Sequence, residues 1–373
     1  MRDIVESTEA FEAWMKRRTD LSGRLLDKKH EQMAEGAFQF LRATFYRWVE
    51  QWPKVCRRLA ERDDDVLLAV GDIHVENFGI WRDSRGDHVW GINDFDEACE
   101  LPFTSDLVRL ATSVALAAGQ QKVETSPRRF CTWLLEGYRT GLEKEGEAFQ
   151  VQQHAALRQL TRGTAQDPGK FWKKKLDAKA LRRAALPRGL ESMLRASFMP
   201  GTKLAFREQR SPGGLGSLGR RRYTALVKGT DEGSHEAREA KALVPSAQYW
   251  ISDQPHMPSQ TATLLQHAIR IPDPHFQVHD QWLIRQLAPD VAKIELPTGN
   301  QDPRLKLAPE MLRFMGSETA NIHLGSRSPD QLGQQLGELE KALGKNWLAA
   351  AAADMFAATQ ADYKRWRKHV RRH

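Results

Sequence analysis

The sequence predicts an α+β protein in which helical regions at both ends of the chain flank a β-rich region. Apolar residues recur at helical spacing before residue 203 and after residue 298, whereas strand-like runs fill the residues between. We therefore divide the chain into a helical part (1–202), a β-rich part (203–298) and C-terminal helices (299–373). The 373 residues are enough for two domains.

Two amphipathic helices are predicted within the first 62 residues. Phe11, Trp14 and Met15 share one helical face, and a second helix is expected to run from Phe38 to Trp48. Short apolar runs after these helices predict strands. Residues 66–70 form a buried strand in this interpretation, and the next two runs form a hairpin at 78–92 around a charged turn.

Helices are expected again after the hairpin. Asp106 is a favoured N-cap residue and predicts a helix over 106–118, with further helices at 127–144 and over much of 151–196. In the β-rich part, the clearest strands are residues 203–208, 223–228 and 281–287. A leucine stripe then predicts a C-terminal helix, at Leu332, Leu336, Leu339 and Leu343.

Composition limits the function classes. Lys and Arg total 56 against 48 Asp and Glu, a net charge of +8 that favours nucleotides, nucleic acid or an anionic membrane surface as partners. The three cysteines form no close pair, so we expect a reducing, cytoplasmic environment. No stretch approaches the roughly 18 apolar residues of a spanning helix, so we expect no membrane insertion.

Carboxylates concentrate after the predicted strands, in GDIHVENFG (71–79) and INDFDEA (92–98). Phosphoryl transfer needs an aspartate to orient the attacking hydroxyl, and an asparagine and a second aspartate to hold Mg²⁺. Asp72, Asn77 and Asp94 fit these roles. The alternative is that the aspartates only form turns at strand ends, as Asp commonly does.

Two further side chains of these segments have open roles. His74 either positions the loop or a phosphate, or is an ordinary hydrogen-bonded histidine. Asp96 is either a further carboxylate of the metal site or a solvated surface residue.

The pattern GDxHxxN followed by an I-D-[FW] strand resembles the protein-kinase-like fold, especially its aminoglycoside and choline phosphotransferase branch. Residues 71–113 also resemble the bacterial family called domain of unknown function 2252. That second resemblance extends to segments at 212–223, 239–247, 282–287 and 317–326. The first resemblance, to kinases and phosphotransferases, implies a two-lobe kinase-like fold with ATP and Mg²⁺ as cofactors, in which Asp106 braces the catalytic loop.

A glycine-rich segment lies between the first two strands of the β-rich part. Gly214, Gly216 and Gly219, with Ser217 among them, form a GxGxxG that could cover nucleotide phosphates or be a plain flexible turn. The two strands and the glycine-rich segment form a predicted hairpin. The strand after this hairpin carries Lys241, our candidate for a phosphate-binding lysine.

Three details of this assignment stay open. Arg238 is the second candidate for the phosphate contact, and a solvated strand lysine is the alternative for Lys241. No glutamate lies between Glu239 and Glu295, so the helix glutamate that usually pairs with such a lysine is missing. The lysine partner is then absent or is one of Gln266, Glu239 and Asp253.

The predicted hinge is residues 285–288, where the backbone of Gln286 and Leu287 would bind the adenine. Kinases place the glycine loop before the catalytic loop, whereas here it follows. The order indicates a circular permutation in which residues 303–373 complete the catalytic lobe, so the N-terminal and C-terminal helices should pack together.

The function predicted from these residues is ATP- and Mg²⁺-dependent phosphoryl transfer to a hydroxyl acceptor that the sequence does not identify. The alternatives are a nucleotide-binding protein or nucleotidyltransferase of the same fold, and a metallophosphoesterase, suggested by the GDxH string. A nucleic-acid-binding module is the fourth hypothesis, based on basic clusters at 170–175, 220–222 and 363–373.

Overall fold

The computed structural model describes residues 2–164, 167–175, 181–209, 214–227, 235–252, 257–279, 281–293 and 307–371. The protein is α+β, as predicted, and fifteen α-helices are assigned in this part of the chain. They are α1 (Ile4–Lys16), α2 (Gly23–Glu35), α3 (Ala37–Ala43), α4 (Phe45–Val55), α5 (Arg57–Ala60), α6 (Phe103–Gln120), α7 (Pro127–Glu143), α8 (Ala155–Thr164), α9 (Pro168–Lys175), α10 (Leu190–Ala196), α11 (Ala247–Ile251), α12 (Thr261–His267), α13 (Pro309–His323), α14 (Pro329–Leu343) and α15 (Trp347–Val370).

The strands form three sheets within the described residues. Strands β1 and β4 pair with each other, β12-β2-β3-β5 form the second sheet, and β10-β11-β9-β8-β7-β6 form the third. Their bounds are β1 (Val66–Ala69), β2 (Phe78–Arg82), β3 (His88–Ile92), β4 (Cys99–Pro102), β5 (Phe149–Gln150), β6 (Leu181–Arg183), β7 (Leu204–Gln209), β8 (Arg222–Val227), β9 (Ala237–Ala242), β10 (Gln277–His279), β11 (Trp282–Leu287) and β12 (Ala292–Lys293).

Helices from the two ends of the chain pack together, as we predicted from the order of the motifs. Helix α15 contacts α1, α2, α3, α4 and α6, and one continuous apolar core contains residues of both regions. A buried ion pair joins them, because Arg47 Nε of α4 lies 2.6 Å from Asp362 Oδ2 of α15. Gln51 donates a second hydrogen bond to the same oxygen at 2.7 Å.

The second helix that we predicted near the N-terminus is divided into two helices in the structure. The predicted helix from Phe38 to Trp48 is two helices, α3 and α4, which meet at Thr44. Thr44 has φ −128° and ψ 44°, outside the helical region. Phe38 and Trp48 are both buried nevertheless, since the two helices turn their apolar faces to the same core.

The strand predictions around the hairpin are confirmed, and the following helix starts earlier than predicted. Strands β2 and β3 pair antiparallel, with Phe78 opposite Ile92. Helix α6 begins at Phe103 after Pro102 as N-cap, so Asp106 lies inside the first turns and does not cap the helix. The prediction of Asp106 as N-cap is therefore wrong, and its carboxylate accepts other hydrogen bonds.

The six-stranded sheet includes the predicted hairpin of β7 and β8, followed by β9 in the centre. It also includes β6, which lies before the predicted boundary at residue 203, and α10 packs on the same sheet through Leu190 and Leu194. On one face, Tyr223, Ala240 and Ile284 form a small core with these leucines. The other face carries Arg222, Glu239, Lys241, Arg285 and Leu287, since these residues are in register across β8, β9 and β11.

The structure also bears on the cysteines, the membrane prediction and the leucine stripe. Cys56, Cys99 and Cys131 are all free and buried. Within the described ranges, no helix has the length and apolar character needed to cross a membrane. The leucine stripe is confirmed in α14, where Leu332, Leu336 and Leu339 are fully buried and Leu343 is partly buried.

Candidate active site

The loop after β1 carries Asp72 and is attached to α6 by a buried carboxylate. Asp106 is fully buried and accepts hydrogen bonds from the backbone N–H of Val70 (2.7 Å) and of Gly71 (3.0 Å). His323 Nε2 of α13 lies 3.2 Å from the same carboxylate. These are bonds of the kind that the kinase resemblance implies for Asp106, and they hold the backbone directly before Asp72.

Gly71 is required by the path of this loop. Its φ is +77°, and a Cβ at this position would lie 2.3 Å from the backbone oxygen of Glu97. Gly86 in the β2–β3 turn has φ +87° but nothing within 4 Å of its Cβ position. Both glycines have a left-handed backbone, but only at Gly71 would a Cβ also clash. Comparing alanine substitutions at the two positions therefore distinguishes the free-energy cost of the backbone conformation from that of the clash.

We expect Gly71→Ala to lower the free energy of unfolding by at least about 2 kcal/mol, since strain and overpacking add. Gly86→Ala should lose only about 1–2 kcal/mol, from strain alone. Urea unfolding of both variants measures this. Equal losses in the two variants would contradict the close approach of Gly71 to Glu97.

Asn77 joins the loop after β1 to the end of β3. Its Nδ2 donates to the backbone oxygens of Asp72 (3.0 Å) and Asp94 (3.1 Å). Its Oδ1 is buried and has no hydrogen-bond partner among the described residues. A buried carbonyl oxygen without a partner is costly, and this one is held beside the Asp94 backbone.

This donor set fits Mg²⁺. Mg²⁺ prefers oxygen ligands and is commonly held by one or two carboxylates together with substrate phosphates. Asn77 Oδ1 and the Asp94 carboxylate would supply the protein ligands. In the described part of the chain, no group of three or more His, Cys, Asp and Glu side chains could hold a metal ion by itself.

Asp72 lies at the edge of a cavity and pairs with a buried arginine. Arg109 Nη2 of α6 contacts Asp72 Oδ1 and also donates to the backbone oxygen of Leu41 at 2.9 Å. Burial raises the pKa of Asp72 to about 6, and Arg109 opposes the rise. The Asp72 carboxyl is therefore mostly ionised at neutral pH and able to accept a proton.

Arg109 was not predicted from the sequence. It lies three residues after Asp106 on α6, so the two side chains share one helical face and both reach the loop after β1. This spacing was a usable signal. A second signal was that Arg109 is the only basic residue of α6, whose other residues are mostly apolar or small.

Lys241 reaches from β9 to the carboxylates that follow β3. Its Nζ lies 2.6 Å from Asp96 Oδ1 and 3.4 Å from Asp94 Oδ1. The lysine is 2% exposed, so the interpretation as a solvated strand lysine is wrong. Burial lowers the pKa of Lys241, and the two aspartates oppose this.

The partners of Lys241 are thus the carboxylates of Asp94 and Asp96. Glu239 shares the face of Lys241 but pairs with Arg222 at 2.7 Å and Arg285 at 2.8 Å. Burial would raise the pKa of Glu239, but these arginines outweigh it and hold the pKa well below the usual range. Gln266 is exposed on α12, and Asp253 lies outside the described residues.

Arg238 and Gln286 lie on the opposite face of the sheet from Lys241. They are opposite each other in the β9–β11 register, and residues adjacent in a strand point to opposite faces. Arg238 pairs with Glu236 at 2.8 Å and lies over the Phe198 ring at 4.8 Å. Arg238 is therefore separated from the carboxylates, whereas Leu287 remains on the Lys241 face.

The glycine-rich segment packs directly on Asp72. Residues 215–217 form a 3₁₀ turn, and a Cβ on Gly216 would lie 3.1 Å from Asp72 Oδ2. Gly219 has φ +105° and approaches Leu26 of α2, while Ser217 Oγ accepts a hydrogen bond from Arg222 at 2.5 Å. Gly214 precedes the turn with φ −59° and ψ 144°.

Arg220 and Glu97 extend the network beyond the predicted residues. Arg220 lies 3.2 Å from Asp96 Oδ2 and 3.3 Å from Glu97 Oε1. Glu97 also accepts from the backbone N–H of Ala247 at 2.7 Å, and burial raises its pKa to about 7. The signal for Glu97 was its position in the second carboxylate segment, which we interpreted through Asp94 and Asp96 only.

His74 is buried, and its Nδ1 accepts from the backbone N–H of Glu76 at 3.2 Å. Glu76 in turn pairs with Arg42 of α3 at 2.5 Å. His74 therefore makes a local hydrogen bond within the loop, while it also lines the cavity at Asp72.

The cavity beside Asp72 is narrow. It holds about 30 Å³, roughly the room that two water molecules need, and Asp72, Asn77, Asp94 and Gly216 line it. A nucleoside triphosphate does not fit this space. Nucleotide binding would require the glycine-rich segment to move away from Asp72.

A family profile described as an uncharacterized protein conserved in bacteria, DUF2252, matches residues 22–192. The chain is similar to this family over those residues. The matched range contains Asp72, Asn77, Asp94 and Asp106, whereas Lys241 lies outside it. Comparisons with curated proteins and with solved structures found no match.

Proposed function

We propose that the protein is an ATP- and Mg²⁺-dependent phosphotransferase of kinase-like fold in permuted order, acting on a hydroxyl acceptor. One observation carries the proposal. The side-chain N–H groups of Asn77 donate to the backbone oxygens of Asp72 and Asp94, and its Oδ1 has no hydrogen-bond partner among the described residues. Lys241, from another sheet, contacts the Asp94 carboxylate. A base, two oxygen ligands and a cation are then in one site.

The residues have distinct roles in this proposal. Asp72 orients the acceptor hydroxyl and accepts its proton, with Arg109 holding the carboxylate in place. Asn77 and Asp94 hold the metal ion, which would neutralise charge on the phosphates. Lys241 binds the phosphates from the other side, and Asp96 keeps Lys241 oriented.

Thermal unfolding with ATP and Mg²⁺ tests this proposal. Ligand at about 100 times its dissociation constant should stabilise the protein by about 2.7 kcal/mol. We expect Asp94→Asn to lose the Mg²⁺-dependent part of this stabilisation, because one metal ligand becomes neutral. Asp87→Asn, an exposed carboxylate in the β2–β3 turn, makes the same charge change and should behave as the wild type. No stabilisation of the wild type at millimolar ATP would refute nucleotide binding.

A nucleotide-binding protein without phosphoryl transfer, or a nucleotidyltransferase, is the second candidate. The contact between Asp72 and Arg109 favours it, because the arginine engages the carboxylate that the first proposal uses as base. Product analysis distinguishes these functions. Release of ADP supports phosphoryl transfer, release of pyrophosphate supports nucleotidyl transfer, and binding without products supports neither reaction.

A further inference from the structure

We infer that the cavity beside Asp72 binds an acidic group of the acceptor, through Lys29 of α2 and Arg42 of α3. The inference rests on the proposed phosphotransferase function and names its substrate class, an anionic small molecule that carries a hydroxyl. It concerns the side of Asp72 that faces the N-terminal helices.

Lys29 is a buried cation without a salt bridge. It is 4% exposed and lines the same cavity as Asp72. Its ammonium lies 5.6 Å from the centre of the Tyr46 ring, and it has no hydrogen bond or ion pair with any residue that the structure describes. Burial lowers the pKa of Lys29, although the carboxylates of Glu12, Glu97 and Asp72 oppose this. An isolated buried ammonium is unfavourable unless an anion joins it.

Arg42 is a second cation that lines the same cavity. One of its terminal nitrogens pairs with Glu76 at 2.5 Å, and its Nε is buried and has no hydrogen-bond partner among the described residues. Carboxylates and phosphates accept charged N–H groups of arginine well. A bound oxyanion in this cavity would therefore be attracted by both Lys29 and Arg42.

The carboxylates that act on these cations already have other partners or pair with Arg42 itself. Glu12 lies 2.7 Å from His30 Nε2, Glu97 pairs with Arg220, and Asp72 pairs with Arg109. A positively charged acceptor would place its charge against Lys29 and Arg42. An acidic acceptor would instead compensate them and bring a neighbouring hydroxyl to Asp72.

This cation pair does not include the proposed phosphate-binding lysine. Lys241 approaches Asp94 and Asp96 from β9 and does not line the cavity at Asp72, whereas the proposed metal ligands Asn77 and Asp94 line it together with Lys29 and Arg42. Three aromatic side chains, Phe11, Phe45 and Tyr46, also line the cavity, and the Tyr46 ring lies next to Lys29. The about 30 Å³ available would hold the oxygens of one small acidic group, with the rest of the acceptor outside.

Thermal unfolding with small anions tests the inference. The probes are inorganic phosphate, glycerate and glycerol 3-phosphate, with glycerol and choline as neutral and cationic comparisons. We expect at least one of the three anions to stabilise the wild type, and Lys29→Met to weaken its apparent affinity about 10- to 100-fold, as loss of a charged hydrogen bond does. Lys28→Met, the exposed neighbour on α2, should leave the affinity unchanged. Glycerate and glycerol 3-phosphate distinguish carboxylate from phosphate recognition.

Three results of the ligand titrations with these probes would overturn the inference. They are no stabilisation of the wild type by any of the anions, full anion stabilisation of Lys29→Met, or stabilisation of the wild type by choline in preference to the anions. Lys29→Met should itself fold with a melting temperature at or above that of the wild type, because it removes an unpaired buried charge; a lower one would also count against the inference. Lys29→Gln provides a second variant of similar length.

The same samples distinguish this failure from failure of the proposed function. Stabilisation of Lys29→Met by ATP and Mg²⁺ should equal that of the wild type, since Lys241 and Asp94 are intact. Loss of ATP stabilisation in Lys29→Met would instead assign Lys29 to the nucleotide and overturn the acceptor site. Absence of ATP stabilisation in the wild type would refute the proposed function alone.

Discussion

Replacing Asp72 with asparagine is expected to lower kcat by about 10²–10⁴-fold, the usual contribution of a general base. Asparagine keeps the shape of the side chain but cannot accept the hydroxyl proton. Binding of ATP and Mg²⁺ should persist, because Asn77 and Asp94 hold the metal ion in our proposal. The measurement is ADP release under saturating ATP, alongside thermal unfolding with ATP.

Two comparisons make the Asp72 result specific. Asp87→Asn should keep wild-type turnover, since Asp87 is exposed in the β2–β3 turn. Unfolding of Asp72→Asn without ligand reports whether Arg109, left without its ion-pair partner, disturbs the loop. If a folded Asp72→Asn variant turned over at the wild-type rate, Asp72 would not be the base and the second candidate function would gain support.

Replacing Asp362 with alanine is expected to lower the free energy of unfolding by about 3 kcal/mol. Asp362 is 2% exposed and accepts from Arg47 and Gln51, and breaking a buried pair typically costs about 3–5 kcal/mol. We expect the lower end of that range because Glu50 still pairs with Arg47 at 2.8 Å. Urea unfolding measures the loss.

Asp354→Ala is the matched control for Asp362, since Asp354 is an exposed aspartate on the same helix. Its loss should stay within about 0.5 kcal/mol. A loss as small as this in Asp362→Ala would mean that the ion pair does not hold α4 to α15. The packing of the two chain ends would then depend on the apolar core alone.

Elements with strong local patterns could be predicted from the sequence. Alternation and turn residues located the β2–β3 hairpin, and apolar spacing located α1 and α14. The break between α3 and α4 could not be predicted, because both helices bury large apolar side chains and no Pro or Gly marks Thr44. The early start of α6 was missed because Asp106 resembles an N-cap.

The candidate site was predictable in part. Asp72, Asn77 and Asp94 were found from residue type and spacing, and the structure brings them together with Lys241. The partner of Lys241 could not be found, since Asp96 is 145 residues away in sequence and joins it only when two sheets meet. Arg238 lies on the opposite face of the sheet from Lys241, and the sequence did not show this because the face of each side chain depends on the phase of the strand.

The α+β class, the strands and helices with clear periodicity, and the residue types of the carboxylate segments follow from the amino-acid sequence. Those properties depend on neighbours along the chain. Three relations became visible only in the folded protein: Asp106 holds the Asp72 loop, Asn77 Oδ1 has no hydrogen-bond partner among the described residues, and Lys29 is buried beside Asp72. Each of these features involves residues that are far apart in the sequence. Their interaction energies depend on burial and on interatomic distances, which cannot be read from the order of the residues.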